Sequence, residues 1–418
     1  MDVAEKQLTA LNRLIEVVAS NNPFYKAKLE ACQGLGGFES LEEFSARMPF
    51  TTRAEIAEDH QSNPPYGTNL SYPIEEYTRI HQTSGTTGQP IAWLDTQESW
   101  NWLLENWKII WRACGAREGD VAIFPFSFGP FIGFWSAFEA AAQMGIRCIP
   151  AGGQTSLQRL QMIKRYKPAW LCCTPTYALH LLSVAQREGI ELTGGPIRNI
   201  IVGGEPGGSV PEVKARIEEG WGGARLFDHH GMTEVGPVTY SDPDRPELLR
   251  AIHETYFIEV LDTNSGEVTA LGGVGELVLT TLGRAACPLI RYRTGDLVKP
   301  VSAKGEDPRA IAFDGGILGR ADDMVVVRGV NLYPSAIDAV IRSFDGIGEY
   351  EVNIDEKDFM VQVAVRVENL SSTRDEELVD QVQKRMRDVF GLRIQVEVAE
   401  SGTLPTFEMK ARRWNVWI

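Results

Sequence analysis

The sequence lacks a Cys-x-x-C pair, although it holds six cysteines: Cys32, Cys114, Cys148, Cys172, Cys173 and Cys287. Without thiols at metal-ligand spacing, and with two of the six adjacent in an apolar run, it argues against structural zinc and against a disulfide framework. A reducing, cytoplasmic compartment fits. Positive charge is also in short supply. Lys and Arg number 41 against 56 Asp and Glu, a net charge of −15. That balance repels a nucleic-acid backbone and an anionic membrane surface alike. The opening "MDVAEKQLTALNRLIEVV" starts acidic and reads as an amphipathic helix rather than a signal peptide. No uninterrupted apolar span reaches membrane length. Val121 to Ile146 has Glu139 as its one charge, but Pro125, Pro130 and three glycines cut it into a strand, a loop and a short helix. Internal repeats and low-complexity segments are absent as well.

What is present is a chain of 418 residues, too long for one core, so two or three domains are expected. Residues 1–75 read as helical, with breaks at Pro23, Gly36-Gly37 and Pro64-Pro65. Over 76–248, short apolar strands ("DVAIFPF", "IRCIP", "AWLCC", "RNIIVGG", "ARLFDHHG") alternate with helices, the first of them "GPFIGFWSAFEAAAQMG". That alternation predicts βαβ units on parallel sheets. From 249 to 320 the apolar period becomes two, as in "HETYFIEVLD" and "VGELVLTTL", which predicts an antiparallel β subdomain. Residues 321–418 read as a small α+β unit. The fold class expected is α/β: a large N-terminal domain, 1–320, and a small mobile C-terminal lid, 321–418.

One loop stands out, "HQTSGTTGQP" at 81–90. Glycines let backbone N–H groups approach an anion closely, and hydroxyls add donors without bulk. It is not a Walker loop, because Gln89 and Pro90 stand where Lys would be needed. Taken alone, a polar surface turn explains it equally well.

Four further segments accompany it in order: "VGGEP" (202–206), "HHGMTE" (229–234), "YRTGDL" (292–297) and "GRADDMVVVRGVNLYP" (319–334). Together they resemble the motifs of the adenylate-forming superfamily of acyl-CoA synthetases, adenylation domains and luciferases. "NPFYKAKL", "MPFTT", "CCTPTYAL", "LTTLGR" and "VVVRGVNLYPSAI" resemble its phenylacetate–CoA ligase branch. The resemblance implies ATP-dependent activation of an aromatic acid to acyl-AMP, followed by transfer to coenzyme A. Alternatives keep the adenylate but use a carrier protein or an amine as acceptor, or leave a nucleotide-binding protein without full ligase activity. Relatives also suggest a homodimer.

By the same resemblance, Thr83, Ser84, Gly85, Thr86, Thr87 and Gly88 would hold the β- and γ-phosphates, with Gln89 where many relatives have Lys. Thr233 would bond the α-phosphate, and Glu234 would be a ligand of Mg²⁺, a hard cation that favours carboxylate oxygen. Gly204, Glu205 and Pro206 would line the adenine, and Asp228 would accept from its amino group. His230 stands where Tyr is usual. His229 stands between a place in the nucleotide pocket and a structural role, and on an extended strand the two rings point to opposite faces. Asp296 would accept both ribose hydroxyls, with Arg320 beside the ribose or phosphate. Lys410 would bridge the carboxylate and α-phosphate, although Thr406 and Met409 depart from the pattern around it. Asp322 falls at the hinge, where a plain linker acid reads nearly as well. Phe126, Phe131 and Trp135 would surround the acyl ring, with Gly203, Gly231 and Met232 as the opposite wall; Trp135 reads equally well as helix core. Relatives carry a Cys/His cluster that looks like a zinc site. Here those places read "SDPD", "LLR" and "SAKGEDPR", with Asp242 and Arg250 able to pair, so no zinc is expected.

Overall fold

The computed structural model describes residues 3–83, 90–263, 265–303, 310–321, 325–327, 330–357, 360–405, 407 and 413–417. Four helices come first: α1 (Val3–Asn21), α2 (Pro23–Ala31), α3 (Leu41–Arg47) and α4 (Arg53–Ser62). Their starts are locally encoded. Asn22, Ser40 and Thr52 each accept an N–H from the first turn, and Thr52 forms a reciprocal capping box with Glu55. A hairpin follows, β1 (Tyr77–Gln82) against β2 (Ala92–Thr96), and leads into the tryptophan-rich α5 (Gln97–Cys114).

The parallel layer then alternates as β3 (Val121–Phe124), α6 (Trp135–Gln143), β4 (Arg147–Pro150), α7 (Ser156–Tyr166), β5 (Trp170–Cys173), α8 (Pro175–Arg187), β6 (Asn199–Gly203), α9 (Pro211–Gly220) and β7 (Arg225–His229). Its five strands are ordered β4-β3-β5-β6-β7, all parallel. Successive strand residues serve opposite faces. Ala122, Phe124, Trp170, Cys172, Ile201 and Phe227 pack into the core that holds α5 and α6. Ile123, Leu171, Cys173, Ile200, Val202 and Leu226 pack against α7, α8 and α9. Burial on both faces is why these strands read as unbroken apolar runs. Trp111 meets the sheet edge-on through Phe124 and Trp170, with ring centroids 6.3 and 5.5 Å away.

Several boundaries differ from the sequence expectation: the antiparallel sheet begins at Thr239 rather than at 249. Helix α6 starts at Trp135 rather than at Gly129, because Gly133 turns the chain with φ +38°, outside helical backbone space. Strand β3 stops at Phe124 because Pro125 has no N–H for the ladder.

After the two short strands β8 (Gly231–Met232) and β9 (Gly236–Pro237) comes a six-stranded antiparallel sheet. It is built from β10 (Thr239–Ser241), β11 (Leu248–Ala251), β12 (Tyr256–Leu261), β13 (Gly275–Thr281), β14 (Tyr292–Ser302) and β15 (Ile311–Arg320). The C-terminal unit contains a short hairpin, β16 (Val325–Val327) and β17 (Val330–Leu332), then α10 (Pro334–Arg342), β18 (Ile347–Lys357), β19 (Met360–Asn369), α11 (Asp375–Phe390), β20 (Gln395–Ala399) and β21 (Trp414–Trp417). Its sheet has the order β20-β19-β18-β21 and a core of its own. No helix among the described residues is long and apolar enough to cross a membrane, and all six cysteines are free thiols.

The large domain is tied together by a buried ion pair. Arg284 and Asp95 are both fully buried, with Nε–Oδ1 2.7 Å and Nη2–Oδ2 2.6 Å. Burial works against the guanidinium charge, but Asp95 more than offsets it, and the pKa of Arg284 is raised. Asp95→Asn leaves that cation uncompensated and should cost about 3–5 kcal/mol, whereas replacing both residues with apolar ones of similar volume should recover most of it. Urea unfolding followed by tryptophan fluorescence checks both outcomes.

Candidate active site

The β1–β2 hairpin carries the hydroxyl- and glycine-rich loop at its tip. Ser84, Gly85, Thr86, Thr87 and Gly88 lie outside the described residues, but Thr83, at its root, is buried. Thr83 pairs with Ile91 across the hairpin: its N–H donates to the Ile91 carbonyl (3.1 Å), and its Oγ1 accepts the Ile91 N–H (3.2 Å). Oγ1 also accepts from Arg53 Nη2 at 3.3 Å. Arg53 Nη1 donates to Glu234 Oε1 at 3.0 Å. Arg53 thus brings Thr83 and Glu234 together across widely separated stretches of sequence. Nothing in the loop itself points to Arg53, although it directly follows "MPFTT" at the first turn of α4. The turn at Thr233 and Glu234 is held from behind: Arg284 Nη1 donates to both carbonyls, at 3.2 and 2.5 Å.

Four more of the expected positions lie at the carboxyl ends of β6 and β7. Gly204 continues β6 with φ +89°, which turns the backbone sharply. Glu205 Oε1 accepts the Thr176 N–H at 2.8 Å, capping the start of α8, and Pro206 follows it into the cleft that faces the C-terminal unit. Asp228 is buried; Oδ2 accepts from Ser209 Oγ at 2.5 Å and Oδ1 from the His229 N–H at 2.9 Å. Burial raises its pKa, partly countered by those two donors.

His229 and His230 turn to different neighbours. His229 Nδ1 lies 2.9 Å from the Thr239 carbonyl, and its ring centroid is 4.4 Å from that of Trp107. His230 Nε2 lies 3.2 Å from Asp296 Oδ2. That distance suits an ion pair, and among the described residues neither atom, both buried, has a hydrogen-bond partner. Asp296 Oδ1 accepts from Arg320 Nη1 at 3.3 Å, and Arg320 also donates to the Thr294 carbonyl at 3.2 Å. Gly295 turns the chain here with φ +76°, in the left-handed region that favours glycine, and Arg320 Nη2 would lie 2.7 Å from a Cβ there. An unsatisfied carboxylate oxygen facing an unsatisfied ring nitrogen is a receptor for a ligand that both donates and accepts, as a vicinal diol does.

The aromatic positions form a chain of ring contacts. Phe126 lies 5.4 Å from Phe134 and 6.4 Å from Phe131, and Phe134 lies 6.0 Å from Trp107. Trp135, 36% exposed, meets this group through Phe128, 4.6 Å away. Trp107 was not singled out in the sequence, where its regular spacing with Trp100 and Trp111 reads simply as helix core. Gly203 and Gly231 flank the His229 ring: a Cβ on either would come within 3.1 Å of it. Met232 packs against the same core. Lys410 and the hinge acid Asp322 lie outside the described residues. Asp242, near the place of the relatives' cluster, pairs with Arg245 at 3.4 Å and Arg250 at 3.5 Å.

Comparison with known proteins gives the family and the fold. The AMP-binding enzyme family matches residues 47–285, and the AMP-binding enzyme C-terminal domain matches 329–415. The phenylacetate-coenzyme A ligase of Pseudomonas putida is 31% identical, over 97% of this chain and 92% of that protein. A 2-hydroxyisobutyryl-CoA ligase in the postadenylation state, bound to an R3-HIB adenylate, superposes with TM-score 0.91 at 29% identity, covering 99% of this chain and 89% of that one. In the thioesterification state the same enzyme gives a TM-score of 0.72 at the same coverage.

Asp296→Asn keeps the shape of the side chain but removes its charge and puts an N–H₂ donor beside His230. Calorimetric titration with AMP should show affinity falling about tenfold or more, as expected for the loss of charge-assisted hydrogen bonds. Unchanged affinity would detach Asp296 from the nucleotide.

Proposed function

The chain belongs to the AMP-binding enzyme family, and from that premise we propose that it is an AMP-forming ligase joining an aromatic carboxylic acid to coenzyme A. Two observations carry the reading: Arg53 joins Thr83 to Glu234, and His230 Nε2 faces a buried Asp296 Oδ2 that has no hydrogen-bond partner among the described residues. A nucleotide's two ends need what this site offers: donors and a cation toward the phosphates, and a carboxylate oxygen for the ribose hydroxyls.

In the first half-reaction the acid's carboxylate attacks the α-phosphorus of ATP and pyrophosphate leaves. In the second, the CoA thiol attacks the acyl carbon and AMP leaves. Negative charge develops on oxygen in both, so fixed donors and cations should supply most of the rate. Arg53 places a guanidinium beside Thr83 and Glu234, which supports its serving as phosphate-side cation in a loop with Gln89 in place of Lys. Glu234 is a buried acid of the type Mg²⁺ accepts alongside substrate phosphates, and the metal would neutralise charge on those phosphates. Lys410 would add the second cation from the C-terminal unit.

That unit leans on the large domain through Arg413, whose Nη1 lies 3.5 Å from Thr176 Oγ1, and through Arg216, whose Nη1 lies 3.5 Å from the Ile347 carbonyl. The closer superposition on the postadenylation structure supports an arrangement poised around the adenylate. Free cysteines, acidic charge and the absence of a membrane-length helix among the described residues support a cytoplasmic location.

Pyrophosphate exchange into ATP that depends on an added aryl acid tests the activation, and mass spectrometry of the products with CoA present tests the acceptor. The expected product is an aryl-CoA. A free adenylate, or transfer to an amine or carrier protein instead, would replace the acceptor; no exchange with any acid would defeat the ligase reading. Lys410→Ala should slow adenylation about a hundredfold or more, on the scale of removing one transition-state donor, and a full rate in that variant would remove Lys410 from the chemistry.

A further inference from the structure

We propose that His229 selects the acid: its Nε2 presents a fixed hydrogen-bond acceptor to a hydroxyl or amino substituent on the substrate's ring. The inference rests on the ligase reading above and specifies its substrate class as aryl acids bearing a hydrogen-bond donor.

His229 ends β7 at the carboxyl edge of the parallel sheet, where open α/β sheets bind their ligands. Its side chain is buried, with the residue 8% exposed. Nδ1 lies 2.9 Å from the Thr239 carbonyl oxygen. A carbonyl can only accept, so Nδ1 carries the proton. Burial lowers the imidazole pKa to about 3, and the ring is neutral at physiological pH. In a neutral ring with Nδ1 protonated, Nε2 is a bare lone pair.

That lone pair has no hydrogen-bond partner among the described residues and is open to solvent rather than sealed in the core. Two glycines stand at the edge of the ring. A Cβ on Gly231 would stand 3.1 Å from Nε2, and one on Gly203 would stand 3.1 Å from Cδ2, so the absence of side chains at these two positions leaves the ring edge open. Trp107 covers the ring at 4.4 Å and continues through Phe134 to Phe126, the aromatic group that would face the acyl ring. One oriented acceptor in such a setting discriminates. A donor on the substrate satisfies it, whereas an unsubstituted or methoxylated ring displaces water and leaves it unpaired.

The test is acid-dependent pyrophosphate exchange with matched sets of benzoic and phenylacetic acids: unsubstituted, and with hydroxy, amino or methoxy groups at each ring position. In the wild-type protein the best hydroxy or amino isomer should exceed its methoxy and unsubstituted counterparts in kcat/KM by about tenfold or more. His229→Leu should abolish that ratio. His229→Gln, whose amide can accept or donate, should retain part of it and gain activity on the methoxy acid. Because each variant is compared with itself, a general loss of activity cancels, and the glutamine variant serves if the leucine variant does not fold. Equal use of donor and non-donor acids by the wild type, or a preference that survives in both variants, would overturn the inference and leave the ligase reading standing. Exchange with no acid at all would overturn both.

Discussion

Arg284 and Asp95 meet with no solvent on either side chain, in a two-bond guanidinium–carboxylate contact. Asp95 belongs to the strand that leaves the glycine-rich loop, and Arg284 follows β13 in the antiparallel sheet. The remaining donor of Arg284 reaches the carbonyls of Thr233 and Glu234. One buried cation therefore sets the separation between the loop's hairpin and the turn that carries the site's acid. Isolated burial of such a charge would be prohibitive, so the contact fixes geometry as well as contributing stability. Arg53, on the solvent side of the same turn, closes the frame by joining Glu234 to Thr83.

Around that frame the site divides by chemistry. Cations and hydroxyls gather at the hairpin, an unsatisfied carboxylate and imidazole at β14 and the end of β7, and aromatic rings beyond the end of β3. The third wall comes from the C-terminal unit. There Arg413 is held by Glu349, with Nε–Oε1 2.5 Å and Nη2–Oε2 3.1 Å, and its guanidinium lies over the Tyr350 ring at 5.1 Å. Burial disfavours the charge of Arg413, yet Glu349 keeps its pKa above the ordinary value. Its reach to Thr176 Oγ1 is long at 3.5 Å.

The sequence discloses what depends on neighbours along the chain. Strands buried on both faces read as apolar runs, and the reciprocal cap of α7 joins Thr155 and Gln158, three residues apart. The motif segments were legible because each is short and contiguous. Contacts between distant segments were not. Asp95 and Arg284 are 189 residues apart, and Arg53 and Glu234 are 181 apart. "LTTLGR" and "MPFTT" marked the neighbourhoods without marking the partners. Trp107 was hidden for another reason: helical spacing cannot separate a ring that fills core from one that covers His229. Nor could a strand pattern tell that His229 keeps one nitrogen unused, since that depends on a carbonyl brought in from β10.

The most direct test of the account is a crystal structure of the protein with AMP and an aryl acid, or with a stable acyl-sulfamoyl adenosine. The account predicts the ribose hydroxyls on Asp296 Oδ2 at about 2.7 Å, the phosphate or sulfamoyl group between Thr83 and Thr233, and the Arg284–Asp95 contact unchanged. A nucleotide bound elsewhere, or a Thr233–Glu234 turn that leaves Arg284 to meet it, would contradict the account.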